Sequence, residues 1–229
     1  MADLAGWCRT LSTAPIFDEL FDRYDAWYLR NRLLAELELR TASMLVPRGG
    51  VGLEIGVGTG FFASNLGVEL GLDPSEKMLW VARRRGVEVV RGVGELLPFR
   101  SCSVDYALVV VTICFADDPQ ELLREAARIV RRGGAVIACI VPRESPWGRR
   151  YAEEGRAGHP FYSAARFFTV AEVEEMMRRA GLSIDRRIGV LSFPPGTPPR
   201  REEPSEDGDM EDMGFVCVRG VKKPSKQIR

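Results

Sequence analysis

One histidine, two asparagines and two glutamines occur in 229 residues, and only four of the 32 basic residues are lysine. Scarce amides fit a hot environment, and the arginine excess fits a GC-rich genome equally well. Net charge is absent too, with 32 acidic residues against 32 basic ones. That argues against a nucleic-acid binder working through a general positive field, and leaves a local basic patch open. No C-x-x-C pair exists among the five cysteines, Cys8, Cys102, Cys114, Cys139 and Cys217. The odd count and the spacing exclude a zinc or disulfide framework, and reduced thiols are expected. No basic-then-apolar signal pattern opens the chain. The apolar runs 104–116 and 135–141 are too short to span a bilayer. The expectation is a cytoplasmic protein without a membrane partner or a metal, and no internal repeat is visible.

What is present is a hydrophobic fraction of 45 %, enough for a full core in one α/β domain. Residues 17–46 read as helical, with Leu33, Leu34, Leu37 and Met44 near a 3.6-residue period, stopped at 47–50 by Pro47 and two glycines. Strand and helix signals then alternate. Strands are expected at 51–55, 68–72, 87–91, 104–111 and 135–141. Helices are expected from 61, from Pro74-Ser75 through 84, and from Asp118-Pro119 to Gly133-Gly134. That alternation implies a parallel sheet with helices on both faces. Residues 143–168 break the pattern. Thr169 to Glu172 matches a capping box, and strands at 182–191 and 214–221 follow. Between them 193–213 is rich in proline and acid and reads as a solvated hairpin loop. The basic stretch from Lys222 reads as a disordered tail.

Three motifs carry chemistry. Leu53-Glu54-Ile55-Gly56-Val57-Gly58-Thr59-Gly60 ends a strand on a carboxylate and follows it with alternating glycines. Glycine permits the sharp turn and lets a ligand lie against the backbone. A dinucleotide site needs G-x-G-x-x-G, because its pyrophosphate sits at a helix N-terminus. The G-x-G-x-G spacing here suits a ligand without phosphates and disfavours a nicotinamide oxidoreductase. Glu54 can accept from an ammonium group. Asp73 closes the second strand, where a carboxylate takes both hydroxyls of an adenosine ribose. The same position beside Pro74 also fits a helix N-cap. Gly92-Val93-Gly94-Glu95-Leu96-Leu97-Pro98-Phe99 can present amides to an adenine edge.

Together these motifs resemble the class I S-adenosylmethionine-dependent methyltransferases, in the small-domain group of ubiquinone- and menaquinone-biosynthesis-like enzymes. The match runs from about Val51 to Val141. The segments from Ser145 to Arg149 and from Ala165 to Thr169 look like a prokaryotic subgroup of unsettled substrate, sometimes likened to histamine N-methyltransferases. A small amine acceptor is thus one option. The resemblance implies a Rossmann-like seven-stranded, mostly parallel sheet with a C-terminal antiparallel hairpin, its last strand inserted beside the fifth. It implies S-adenosyl-L-methionine as cofactor. Glu54, Gly56 and Gly58 would face its methionine part. Asp73 would hold the ribose, with Pro74 and Met78 packed on the adenine. Gly94, Glu95 and Leu96 would frame the adenine edge, and Val111 and Thr112 would lie under the methionyl chain. Tyr24, Trp27 and Tyr28 would cover the cofactor. The chain departs from the family at Val93, where relatives carry an adenine-contacting aspartate, and at Ile113-Cys114-Phe115, where many carry a histidine.

The chain is expected to be a single methyltransferase domain over 1–229. It divides into a helical cap (17–50), a cofactor-binding core (51–141), a substrate-side segment (142–168), a final helix and hairpin (169–221) and a tail (222–229). His159 and Tyr162 are the candidates for acid–base catalysis. Trp27, Phe115 and Arg166 are candidates for the acceptor pocket. The expected reaction is in-line methyl transfer to a small-molecule acceptor. The alternative is a non-catalytic cofactor-binding module of the same fold.

Overall fold

The computed structural model describes residues 13–223. Seven strands form one sheet in the order β3-β2-β1-β4-β5-β7-β6. They are β1 (Gly52–Ile55), β2 (Leu70–Asp73), β3 (Glu88–Arg91), β4 (Val104–Val110), β5 (Val130–Ile140), β6 (Leu182–Val190) and β7 (Phe215–Lys222). The first five are parallel neighbours, and β7 runs antiparallel to both β5 and β6. The central strands are mostly apolar because both faces are covered. Alternation still shows in β4. Tyr106, Leu108 and Val110 join the core on one face, and Ala107 and Val109 join the core on the other.

Eight α-helices are described: α1 (Ala14–Glu19), α2 (Phe21–Arg30), α3 (Arg32–Ser43), α4 (Phe61–Leu66), α5 (Glu76–Arg84), α6 (Pro119–Ile129), α7 (Pro146–Arg156) and α8 (Val170–Arg179). The first three correct the single helix expected at 17–46. The chain leaves helical geometry at Leu20 (ψ 25°) and Asn31 (ψ 45°). At the second break the Asn31 side chain and backbone amide both donate to the Trp27 carbonyl, at 2.9 Å each. A short amide bonding to nearby backbone competes with helix continuation in this way.

Helix α6 has the expected Asp118 cap, whose carboxylate accepts the Glu121 amide at 3.0 Å. Its end differs from expectation. Gly133-Gly134 lie inside β5, because Val130 is already extended and pairs with Val104. Gly134 sits where the register shifts, and a Cβ there would lie 2.2 Å from the Asp105 carbonyl oxygen. These glycines mark a strand bulge with close backbone approach.

The segment 143–168 is also more regular than its sequence suggests. Ser145 accepts the Gly148 amide at 3.0 Å and Pro146 opens α7, the same cap-then-proline signal as at Asp118. Gly148 and Gly155 mask it, since glycine is a poor helix former. Both are packing requirements: a Cβ at Gly148 would meet the Pro142 carbonyl at 2.0 Å, and one at Gly155 the Tyr162 carbonyl at 2.6 Å.

Lys222 is no tail residue. It ends β7, and its ammonium donates to the Ala127 and Val130 carbonyls at 2.8 Å each, which suits a cation at a helix C-terminus. Lys223 follows it as an exposed residue, and the remainder of the expected tail, 224–229, and Cys8 lie outside the described residues. The Pro/acidic stretch is mostly exposed but anchored: Ser205 bridges Gly189, and Met210 is buried. The cysteine expectation is overturned. Cys139 and Cys217 face each other across β5 and β7 and form a disulfide. The pairing joins residues 78 apart, so spacing in the sequence gave no sign of it.

Candidate functional site

The site lies at the carboxyl ends of the parallel strands, where an open α/β sheet binds ligands. After β1 the chain turns through Gly56 (φ 72°), Gly58 (φ 52°) and Gly60 (φ 77°). The reason for each glycine differs. A Cβ on Gly56 would sit 2.3 Å from Thr112, and one on Gly60 would sit 2.9 Å from the Ala82 backbone. These two serve the protein's own packing. Gly58 has room, with Tyr24 the nearest group at 3.6 Å, so there it is the left-handed backbone that calls for glycine.

Asp73 holds this loop in place. Its Oδ2 accepts the Gly58 amide and its Oδ1 accepts the Ser75 amide, each at 2.9 Å. It is not the N-cap of α5. Ser75 fills that role, accepting the Met78 amide at 3.2 Å. Two amides use half of a carboxylate's acceptor capacity, which leaves sites facing the cleft. Burial pushes the Asp73 carboxyl up to about 6 against the pull of those amides. The Ser75 hydroxyl in turn donates to Asp18 of α1 at 2.6 Å, a link between the N-terminal helices and the second loop that the sequence did not disclose.

A first cavity of about 740 Å³ opens over this loop. Asp73, Pro74 and Met78 line one side, and Val93, Gly94 and Glu95 line another. Gly56, Gly58, Val111, Thr112, Tyr24 and Phe115 line it as well. Glu95 is partly committed, since its Oε1 accepts the Asp117 amide at 2.9 Å. Leu96 is 59 % exposed and does not line the cavity.

A second cavity of about 1150 Å³ adjoins the first. The two share Tyr24, Gly56, Val110, Val111 and Phe115. Val111 has φ +49°, a conformation a β-branched residue rarely adopts and one that marks functional sites. Trp27, Tyr28, His159 and Tyr162 line the second cavity, as does Glu54. Arg166 lines neither cavity. It is exposed, and its guanidinium lies over the Phe168 ring at 4.9 Å.

Aromatic rings dominate the second cavity. Tyr28 stacks on Phe61 with centroids 3.9 Å apart, and its hydroxyl lies 3.1 Å from that of Tyr24. Tyr162 stacks between Tyr151 (4.3 Å) and His159 (4.1 Å). His159 Nδ1 accepts the Tyr162 amide at 3.4 Å, and desolvation lowers its pKa below the ordinary value. Burial holds the Tyr28 and Tyr151 hydroxyls well above the usual phenol range and pushes Tyr162 up to about 12. Cys114 is likewise pushed up to about 12 and stays a thiol.

Two buried carboxylates face this aromatic space. Glu54 accepts the Ala63 amide, and its Oε2 is buried without a partner. Burial and the neighbouring Asp73 raise its pKa well above the usual range. The other is Glu38 of α3, 8 % exposed, which burial pushes up to about 8. Glu38 was missed in the sequence. It stands four residues after Leu34, on the buried face of an amphipathic helix. A charged residue on an apolar stripe is the signal that could have found it.

Residues 53–138 match the family model of a methyltransferase domain. An uncharacterised protein of Mycobacterium tuberculosis is 40 % identical over 205 residues, covering 86 % of this chain and 70 % of its own length. An uncharacterised protein of Methanocaldococcus jannaschii is 37 % identical over 166 residues, covering 72 % and 80 %. Among solved structures, a SAM-dependent methyltransferase of Thermotoga maritima, described as a possible histamine N-methyltransferase, is 41 % identical with a TM-score of 0.86. That likeness covers 92 % of this chain and 100 % of the other. A methyltransferase complexed with the Trm112 activator of Haloferax volcanii shares the fold, at 24 % identity and a TM-score of 0.70, over 91 % and 98 % of the chains.

Proposed function

Since the chain belongs to the S-adenosylmethionine-dependent methyltransferases, we propose that it methylates a small-molecule acceptor held in the second cavity, by in-line displacement across the seam with the first. The observation that carries this reading is the contiguity of the two cavities at Tyr24, Val111 and Phe115. A donor bound on one side of that seam and an acceptor on the other are held within one enclosure, which supplies orientation without a covalent enzyme intermediate.

The residues present fit the cofactor. The buried, unpartnered Glu54 Oε2 suits an ammonium on the second-cavity side of the seam, beside the shared Gly56, and the free acceptor sites of Asp73 suit ribose hydroxyls in the first. Pro74, Met78 and Val93 offer an apolar slot for a purine, and Val111 and Thr112 would lie beneath the methionyl chain. Bound there, S-adenosylmethionine supplies a methyl group on a cationic sulfur. The protein's part is to hold the two partners in line, exclude water and manage the acceptor's proton. In this reading the N-terminal helices and the segment 142–168 act as cap and substrate wall over the core 51–141. No helix among the described residues is long and apolar enough to cross a membrane.

Calorimetry with S-adenosylmethionine, S-adenosylhomocysteine and NAD tests the ligand. Binding of the first two and not of NAD is expected, and NAD binding alone would overturn the reading. An acceptor screen with release of S-adenosylhomocysteine as readout separates an enzyme from a binding module.

A further inference from the structure

We propose that the second cavity selects a primary or secondary amine, with Glu38 as the residue that receives its ammonium and takes its proton before transfer. This rests on the methyltransferase reading above and names the acceptor class for that same site.

Glu38 is a buried acid with no structural employment. Among the described residues no hydrogen bond or ion pair reaches its carboxyl, and desolvation is the one influence on it. A buried carboxyl without a partner is costly, and it opens into the cavity. Its neighbours are Tyr28 of α2 and, from α7 and the loop after it, Tyr151 and Tyr162, whose titrations all feel its charge. Glu54 also faces this space, His159 lines it, and Arg23 and Arg30 stand exposed at its rim. The phenols stay neutral at working pH because burial raises all three. A carboxyl without a partner in an otherwise apolar, aromatic enclosure is a place for a cation, which supplies the missing charge partner. The same surroundings repel a carboxylate acceptor, and a neutral alcohol leaves Glu38 without a charge partner.

The proton arithmetic also favours an amine. An ammonium is not a nucleophile, so a proton must leave first. An ordinary glutamate is a poor receiver because its pKa lies far below that of an amine. Burial moves Glu38 from 4.5 up to about 8, toward the range of an amine. Glu38, protonated at rest, gives its proton to water as R–NH3+ enters beside it, and the carboxylate so formed takes one proton from the ammonium. Its lone pair then forms the new N–C bond and displaces the sulfur, which keeps the old bonding pair. The sulfonium's positive charge thereby moves to nitrogen. The product leaves as the methylammonium, and Glu38 is back in its protonated resting form, one proton having gone to water.

The test uses full-length protein saturated with S-adenosylhomocysteine, so it reads binding without turnover. Propylamine, 2-phenylethylamine and tryptamine are titrated, each against the matching alcohol and carboxylate. At least one amine should bind tenfold or more tighter than both analogues. Glu38→Gln should bring that margin within threefold while leaving S-adenosylhomocysteine affinity near wild type and the thermal midpoint no lower than wild type. No amine preference in any series overturns the proposal, whether or not the variant folds. So does an unchanged margin in a folded Glu38→Gln, or a Glu38→Gln that loses the cofactor product instead. Failure of wild type to bind S-adenosylhomocysteine would instead sink the methyltransferase reading beneath it.

Discussion

The carboxylate of Asp73 accepts the amide of Gly58 at 2.9 Å, so the acid at the end of the second strand clamps the glycine loop of the first. The same side chain accepts the Ser75 amide. Asp73 thus shapes the loop and, on the proposed reading, presents its remaining lone pairs to the ribose.

Asp73→Ala should therefore do two things together. Losing charged hydrogen bonds of roughly 1.5–3 kcal/mol each should weaken S-adenosylmethionine by about one to three powers of ten. Releasing the Gly58 and Ser75 amides should also lower the thermal midpoint. Asp73→Asn should lose less of both, since its amide keeps one acceptor oxygen. Calorimetry and melting of both variants decide it. Cofactor affinity unchanged beside a lowered midpoint would remove the ribose role.

Glu38 ties stability to pH. Its folded pKa of about 8 lies above the 4.5 of an ordinary glutamate, so the folded state holds a proton that the unfolded state has lost. Its contribution is fully present below about 4.5 and is lost as pH rises toward 8, at up to about 1.4 kcal/mol per unit. Glu54 and Asp73 act in the same direction. Glu38→Gln should raise the midpoint at pH 8 relative to wild type and change it little at pH 4.5. Parallel pH profiles for the two proteins would show that Glu38 is ionised normally.

Val93 lines the first cavity, at the position where the family resemblance leads one to expect an aspartate. Val93→Asp restores an acceptor for the adenine's exocyclic amine. S-adenosylmethionine and S-adenosylhomocysteine should both bind about tenfold tighter, the effect of one hydrogen bond of about 1.4 kcal/mol. Equal or weaker binding in a variant of unchanged midpoint would place the adenine elsewhere.

Cys139 and Cys217, both fully buried, should resist alkylation in denaturant until a reductant is added. Cys102 and Cys114 are free and should react at once. Peptide mass mapping before and after reduction measures this, and labelling of Cys139 without reductant would show the pair to be open.

The order of elements, the strand ends that carry Glu54 and Asp73 and the cap at Asp118 were legible along the chain. Each is a local matter of apolar period, glycine spacing and side-chain reach of two to four residues. Local pattern also sufficed for the family resemblance, because the glycine loop, Asp73 and the Gly94-Glu95 loop follow one another in order.

Glu38, the Cys139–Cys217 bond, the junction at Val111 and the exclusion of Leu96 and Arg166 from both cavities belong to tertiary structure alone. Glu38 meets Tyr151 and Tyr162 only because α3 and α7, more than 100 residues apart in the sequence, close over the same strand ends. Cys139 meets Cys217 only because β7 inserts between β5 and β6. Composition and period report which face of an element is buried. Which buried faces meet, and whether a carboxyl among them finds a partner, is settled by packing over distances the sequence does not encode locally.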